Sequence, residues 1–217
     1  MKRHDWVQPR GDARPAFLTA DPEALAFAHD WIALGRPLVV TRQSPAAGAI
    51  SLGLALPPAY ATRRLACTLS RHAVQGHRGP LSIEEVAPVL CVNDRRALRN
   101  LAGELATLGF TVGVYGSSAW QCLSGLAYRH DASDIDVVCD AGSPALTGRE
   151  LEACLRALDT AAHEARSRLD GEIRFADGRA VAWRELAQAR IASTGVVLAK
   201  GERDVALLPW RQLVAAA

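Results

Sequence analysis

Two neighbouring stretches decide the fold: residues 112–121, V-G-V-Y-G-S-S-A-W-Q, and residues 133–140, S-D-I-D-V-V-C-D. The second stretch predicts a buried strand in which Asp134 and Asp136 alternate with apolar residues. Alternate residues of a strand point to the same face, so both carboxylates share one face. Two carboxylates this close repel each other unless a cation lies between them. Because Mg²⁺ typically combines one or two carboxylates with substrate phosphates, Asp134 and Asp136 are candidate metal ligands.

A glycine-serine turn precedes the acidic pair. The apolar residues 110–115 predict a buried strand that ends at Gly116 and Ser117, and a short helix can begin near Ser118. Backbone N–H groups at a helix start favour phosphate oxygens, so these three residues are candidate phosphate ligands. Either feature alone is also explained by an ordinary turn or an exposed strand edge. Together, in this order, they indicate phosphoryl or nucleotidyl transfer.

Phosphoryl transfer with two metal ions usually needs a third acid, which can take the proton of the attacking hydroxyl. Glu172, which begins a predicted strand, is the candidate for this role. Asp170 is the second choice, because its D-G context favours an ordinary turn. Lys200 ends an apolar strand and Arg129 lies in the loop before the acidic pair, so both are candidate phosphate ligands. An exposed strand end and a solvated loop are the ordinary explanations of these two cations.

The first part of the chain predicts a small α+β unit. Asp21 and Pro22 predict the start of a helix that Gly35 ends. Strands are expected near residues 3–7, 37–42, 51–56 and 64–69. The glycine-rich and basic residues 75–80 indicate a linker, so we expect domains at residues 1–80 and 81–217.

The second part predicts helices around a mixed sheet. Two capping boxes, Ser82 with Glu85 and Thr147 with Glu150, predict helix starts. Asp170 and Gly171 predict a turn. Two hairpins are expected after it, one over residues 172–183 and one over residues 196–208.

Composition bounds the class of protein. The net charge of +2 is too small to argue for a nucleic-acid partner, and no stretch is apolar and long enough to predict a membrane span. The N-terminus lacks an apolar signal core, so a cytoplasmic location is expected. The 5 cysteines are scattered without a paired motif, which favours reduced thiols.

The turn and the acidic pair together resemble the polymerase-beta-like nucleotidyltransferase superfamily, although the spacer over residues 118–133 is longer than usual there. A closer resemblance is to the phosphoribosyl-dephospho-CoA transferases of malonate decarboxylase systems, the MdcG family. The segments that carry it extend over both predicted domains: R-H-D at 3–5, G-S-S-A-W-Q at 116–121, S-G-L at 124–126, S-D-I-D-V-V at 133–138, G-E-I-R-F-A-D-G-R-A-V-A-W-R-E-L at 171–186 and V-L-A-K at 197–200.

This resemblance implies a specific reaction. The family moves the prosthetic group from triphosphoribosyl-dephospho-CoA to a serine of the apo acyl carrier subunit, so that a phosphodiester forms and pyrophosphate leaves. By match to the superfamily motif, Asp134 and Asp136 would hold Mg²⁺, Ser117 would contact the departing phosphates and Glu172 would be the third acid. The N-terminal domain carries no catalytic signature and would help to bind the donor or the carrier.

Other functions stay open at this point. A nucleotidyltransferase that modifies a small molecule or another carrier protein, including that of citrate lyase, would use the same core. A noncatalytic module that keeps the fold is a further alternative, which the intact acidic pair argues against.

Overall fold

The computed structural model describes residues 1–44, 48–61, 64–142, 146–192 and 195–214. Within them, the chain forms two sheets of six strands, one from each half of the sequence. Helices pack on this framework, and the class is α+β, as predicted. No helix of the described residues is long and apolar enough to cross a lipid bilayer.

The first sheet is antiparallel throughout, with the strand order β2-β5-β4-β3-β1-β6. Its single α-helix begins as predicted, because the Asp21 carboxylate accepts hydrogen bonds from the first-turn N–H groups of Glu23 and Ala24. The elements of this half are β1 (Trp6–Pro9), β2 (Ala16–Phe17), α1 (Pro22–Ala33), β3 (Leu38–Val40), β4 (Ala49–Ala55), β5 (Arg64–Ser70) and β6 (Val74–Arg78).

The predicted linker at residues 75–80 is wrong, because most of it forms β6, which pairs with β1. This strand lies at the edge of the sheet and is largely exposed, and edge strands commonly carry charged residues and glycine. The strand expected at residues 3–7 begins only at Trp6. His4 interrupts it, since its φ of 69° lies in the left-handed region.

The second sheet is mixed, with the order β12-β11-β10-β9-β8-β7. β8 and β9 are parallel, and α5 forms the crossover between them. The elements are α2 (Ile83–Val86), α3 (Val92–Thr107), β7 (Phe110–Tyr115), α4 (Gly116–Ser124), β8 (Ile135–Ala141), α5 (Gly148–Glu164), β9 (Leu169–Arg174), β10 (Ala180–Ala182), α6 (Trp183–Ile191), β11 (Val196–Lys200) and β12 (Val205–Pro209).

Both capping boxes and both hairpins of this half are confirmed, but the turn predicted at Asp170 and Gly171 is wrong. These two residues lie inside β9. Gly171 is required by packing: a Cβ atom there would lie 1.9 Å from the carbonyl oxygen of Val137 in β8. The glycine therefore permits close approach of two strands and does not reverse the chain.

Aromatic side chains join the two halves. Trp120 of α4 meets Trp6 edge-on with ring centroids 4.7 Å apart, and it meets Trp31 at 5.4 Å. Tyr128 donates a hydrogen bond from its hydroxyl to the carbonyl of Ala55 at 2.8 Å. Burial of such large rings supplies much of the free energy of association between packed units. The N-terminal sheet is therefore held directly over the helix that follows the glycine-serine turn.

A buried carboxylate also joins the halves. Glu172, only 5% exposed, contacts Arg3 at 3.4 Å, His4 at 3.3 Å and Lys200 at 2.8 Å. Burial opposes ionisation of Glu172, but its hydrogen bond with His4 and the charge of Arg3 hold its pKa well below the usual range. Since burial lowers the pKa of His4, we assign a neutral ring whose Nε2–H donates to Glu172. We call Arg3, His4, Glu172 and Lys200 the Glu172 cluster.

We expect Glu172→Gln to lower the free energy of unfolding by about 3 kcal/mol at pH 7, because the change leaves the partly buried cations of Arg3 and Lys200 without their counter-charge. The depressed pKa means that the carboxylate stabilises the fold above its ordinary pKa of 4.5, and that this contribution is lost as the pH falls. Urea unfolding of wild type and variant between neutral and acidic pH measures the difference.

Glu152→Gln is the matched control. Glu152 also contacts two arginines, Arg156 at 2.8 Å and Arg190 at 3.4 Å, but its side chain is 52% exposed. Exposed ion pairs contribute little, so this variant should lose less than about 1 kcal/mol. Equal losses in the two variants would contradict the role given to the Glu172 cluster.

Candidate active site

The acidic pair lies at the start of β8. Asp134 immediately precedes the strand and Asp136 is its second residue, so the two carboxylates share one face as predicted. Asp136 lies opposite Tyr115 of β7 on one side and opposite Asp170 of β9 on the other. The parallel register therefore brings a third carboxylate, that of Asp170, beside the pair.

Arg168 partly balances these three acids. Its guanidinium lies 3.2 Å from the Asp134 carboxylate and 3.9 Å from that of Asp170, and its side chain is 61% exposed. Burial raises the pKa of Asp136 to about 6, and the charges of Asp170 and Asp134 add to the rise. The site therefore holds more negative charge than the protein itself neutralises.

The glycine-serine turn is built against Asp136. Gly116 has a φ of 67°, and a Cβ atom added to it would lie 1.9 Å from the Asp136 carboxylate. Only glycine fits there, because any side chain would displace the acid. Gly116 begins α4, and Ser117 follows it in the first turn, so the free N–H groups of this helix start lie next to the acidic pair.

A buried polar chain fixes the geometry behind the turn. Arg129 donates to the hydroxyl of Ser118 at 2.5 Å and to that of Ser167 at 3.2 Å. Ser167 is itself bound through its N–H and hydroxyl to Asp94, which is 1% exposed. These hydrogen bonds between side chains connect the start of α4 to the segment that leads into β9.

A cleft of about 710 Å³ opens in front of these groups, between the two halves of the chain. Gly116, Ser117 and Asp136 line one wall, and β3, β4 and β5 supply the other. His4 and Arg3 also line it, and the His4 ring stacks on Tyr115 with centroids 3.8 Å apart. The volume falls in the range typical of cofactor-sized ligands.

The predicted site residues thus fall into two groups. Gly116, Ser117 and Asp136 line the cleft and Asp134 adjoins them, whereas Ser118, Arg129, Glu172 and Lys200 do not line it. In this structure Ser118 and Arg129 bond to each other, and Glu172 and Lys200 bond to each other. Their predicted roles toward substrate stay predictions.

His4, Arg42 and Arg64 line the cleft but were not predicted as site residues, and Asp170 was predicted only as the alternative third acid. The alternation of Asp170 with Glu172 and Arg174 along β9 was the available signal for Asp170, because it predicts that all three side chains share one face. No comparable signal in the sequence marks the position of Arg42 or Arg64.

The donor set suits Mg²⁺. Asp134 and Asp136 are the side chains that would hold the ion, which favours oxygen ligands and would relieve the repulsion that adds to the effect of burial on the pKa of Asp136. Among the described residues, no group of three or more His, Cys, Asp and Glu side chains is gathered closely enough to hold a metal ion by itself.

Comparison with known proteins identifies the family. A family model for the phosphoribosyl-dephospho-CoA transferase MdcG N-terminal domain matches residues 2–80, and one for the MdcG C-terminal domain matches residues 81–210. The chain belongs to the phosphoribosyl-dephospho-CoA transferase family. It is therefore a transferase, and the resemblance of the sequence to the MdcG family is confirmed.

Relatives with this activity in their names match most of the chain. The phosphoribosyl-dephospho-CoA transferase of Xanthomonas euvesicatoria is 33% identical over 209 residues, which cover 95% of this chain and 93% of the relative. That of Bradyrhizobium diazoefficiens is 32% identical over 218 residues, covering 99% and 93%. That of Pseudomonas aeruginosa is 33% identical over 190 residues, covering 82% and 80%. No solved structure matches the chain.

Gly116→Ala should abolish transferase activity, with a loss of at least about a hundredfold, because the methyl group would displace the Asp136 carboxylate. Gly125→Ala is the matched control, since Gly125 ends the same helix with a φ of 73° but no atom lies within 4 Å of its added Cβ. Both variants bear a similar backbone strain of about 1 kcal/mol. The measurements are the transfer rate and the thermal melting of each variant. An equal loss of activity in both variants would contradict the assignment.

Asp136→Asn should stabilise the metal-free transferase at pH 8 by about 2 kcal/mol, because ionised Asp136 is desolvated and repelled by its neighbours. The raised pKa of about 6 means that the folded state favours the protonated acid, so the gain should shrink below pH 6 and vanish near its ordinary value of 3.8. Thermal melting in EDTA across this range is the measurement. A lower melting temperature for the variant at pH 8 would contradict it.

Proposed function

We propose that the protein transfers phosphoribosyl-dephospho-CoA, in the cytoplasm, from triphosphoribosyl-dephospho-CoA to a serine of the apo acyl carrier subunit of malonate decarboxylase. A phosphodiester forms and pyrophosphate leaves. The observation that carries the proposal is the contact between the glycine-serine turn and Asp136, in a chain that belongs to this transferase family. The contact sets a helix start suited to phosphate directly beside an acidic pair.

The phosphates of the donor are bound at the turn. Gly116 and Ser117 line the cleft, and the N–H groups at the start of α4 and the Ser117 hydroxyl stabilise the negative charge of the departing pyrophosphate. Mg²⁺, when held by Asp134 and Asp136, supplies positive charge to the same phosphates. Arg129 links the glycine-serine turn to the acidic pair, because it donates to the Ser118 hydroxyl and also to the carbonyl of Asp134 at 3.4 Å.

Asp170 is the third acid in this proposal. The carrier serine oxygen forms a bond to the α-phosphorus while the bond from that phosphorus to the pyrophosphate oxygen breaks, and Asp170 takes the serine proton. Asp170 is 37% exposed, so an incoming hydroxyl can reach it. Glu172 is a poor base by comparison, because its contacts hold its pKa well below the usual range.

The test is the intact mass of purified apo carrier subunit after incubation with this protein, Mg²⁺ and triphosphoribosyl-dephospho-CoA. We expect a mass increase equal to phosphoribosyl-dephospho-CoA, with equimolar pyrophosphate, and no increase for a carrier whose acceptor serine is alanine. No increase on this carrier, together with labelling of the citrate lyase carrier or of another acceptor, would overturn the malonate decarboxylase assignment.

Within the same assay, Asp170→Asn should lower the transfer rate at least about a hundredfold without lowering the melting temperature. Asp177→Asn is the control, because Asp177 pairs with Arg179 in an exposed turn and, unlike Asp170, has no register position beside Asp136. Full activity of Asp170→Asn would remove Asp170 from the mechanism and leave the transfer reaction itself untouched.

A further inference from the structure

The cleft wall supplied by the N-terminal sheet has a composition of its own. Val39, Gly53 and Ala66 lie side by side on three adjacent strands, since Val39 pairs with Gly53 and Gly53 with Ala66. Their side chains share one face of the sheet, together with Ala55 and Arg64 in the next row. All five residues line the cleft. We call this surface the small-residue face.

The centre of this face carries no projecting side chain, because Gly53 is buried beneath the side chains of Thr41 and Val39. A Cβ atom on Gly53 would lie 3.0 Å from Thr41 and 3.5 Å from Val39. Ala66 beside it is exposed, and the wall carries no carboxylate among its described residues. Such a surface admits a narrow, extended chain or a flat ring in van der Waals contact along its length.

Two arginines stand at this wall. Arg42 follows β3 and Arg64 begins β5, and both side chains are exposed and line the cleft. Neither forms an ion pair with any residue of the described ranges, in contrast to Arg3, which contacts Glu172. Arg64 lines the same cleft as Asp136 and the glycine-serine turn, across from them on the opposite wall. Unpaired guanidinium groups are well suited to bind phosphate.

We propose that the small-residue face binds the dephospho-CoA moiety of the donor, with Arg42 and Arg64 contacting its phosphates. The N-terminal sheet thereby selects a CoA-derived donor over a simple nucleoside triphosphate. This inference rests on the proposed function, whose donor contains that moiety. A nucleoside triphosphate alone would occupy the glycine-serine turn and leave the face beyond it uncovered, so it would gain less binding free energy.

The test is isothermal titration of the full chain with dephospho-CoA, which lacks the reactive triphosphate, and in parallel with ATP, both with Mg²⁺. We expect dephospho-CoA to bind at least about tenfold more tightly than ATP. Arg64→Ala and Arg42→Ala should each weaken dephospho-CoA binding about tenfold, and added salt should weaken the wild type more than either variant. Ala66→Phe should remove binding by filling the face, with an unchanged melting temperature.

Arg71→Ala is the matched charge control, because Arg71 is an exposed arginine that follows β5 and does not line the cleft. It should bind dephospho-CoA as the wild type does. Wild-type affinity in both Arg64→Ala and Ala66→Phe, or equal affinity of the wild type for ATP and dephospho-CoA, would overturn the inference.

The carrier mass assay distinguishes failure of dephospho-CoA binding at the small-residue face from failure of the proposed function. Transfer to the carrier without any dephospho-CoA binding at the small-residue face would leave the reaction standing and remove the face from donor recognition. Binding that depends on Arg64 and Ala66 without transfer to the carrier would support the dephospho-CoA site and remove the proposed acceptor.

Discussion

The parallel register of β8 and β9 is the constraint on which the rest of the structure depends. It sets three rows of side chains across one face of the sheet: Asp136 beside Asp170, Val138 beside Glu172, and Asp140 beside Arg174. A shift of one residue would turn every one of these groups to the opposite face. Gly171 fixes the register, because only a residue without a side chain lets β9 approach the Val137 carbonyl so closely.

Two acids on this one face have opposite electrostatic environments. Glu172 and Asp136 are both largely removed from water, but Arg3, His4 and Lys200 surround Glu172, whereas Asp136 has Asp134 and Asp170 as neighbours. The cations around Glu172 stabilise the folded state, whereas the repulsion between Asp136 and its acidic neighbours destabilises it. Functional sites commonly hold charges that their neighbours do not compensate, and other parts of the structure then stabilise the folded state. Here the support comes from the two further rows of the same sheet, where the N-terminal segment crosses: beyond the contacts of Glu172, Lys2 contacts Asp140 at 2.9 Å, and Arg174 donates to the Arg3 carbonyl.

The local signals in the sequence predicted local structure well. Asp21, the two capping boxes and residues 110–115 each formed the predicted element, because caps and continuous apolar runs act within a few residues. The errors involve long-range pairing. The Asp170-Gly171 pair has the composition of a turn, yet its glycine permits contact with a strand more than 30 residues earlier. Residues 76–78 of the predicted linker pair with β1, which lies near the start of the sequence. No pattern within a short window contains that information.

The candidate site also extends beyond its motif, since one wall of its cleft comes from the N-terminal sheet. His4 shows how closely the two halves are built together: it adopts the left-handed backbone that non-glycine residues avoid, stacks on Tyr115 and bonds to Glu172. A residue keeps such a conformation only where its surroundings over-determine it. Because Tyr115 directly precedes Gly116, this strained contact and the Trp120 packing hold the N-terminal sheet in place on either side of the glycine-serine turn. These contacts therefore hold the glycine-serine turn and the acidic pair at a fixed distance from the opposite wall of the cleft. A donor that contacts both walls would bind in a cleft whose width these contacts set.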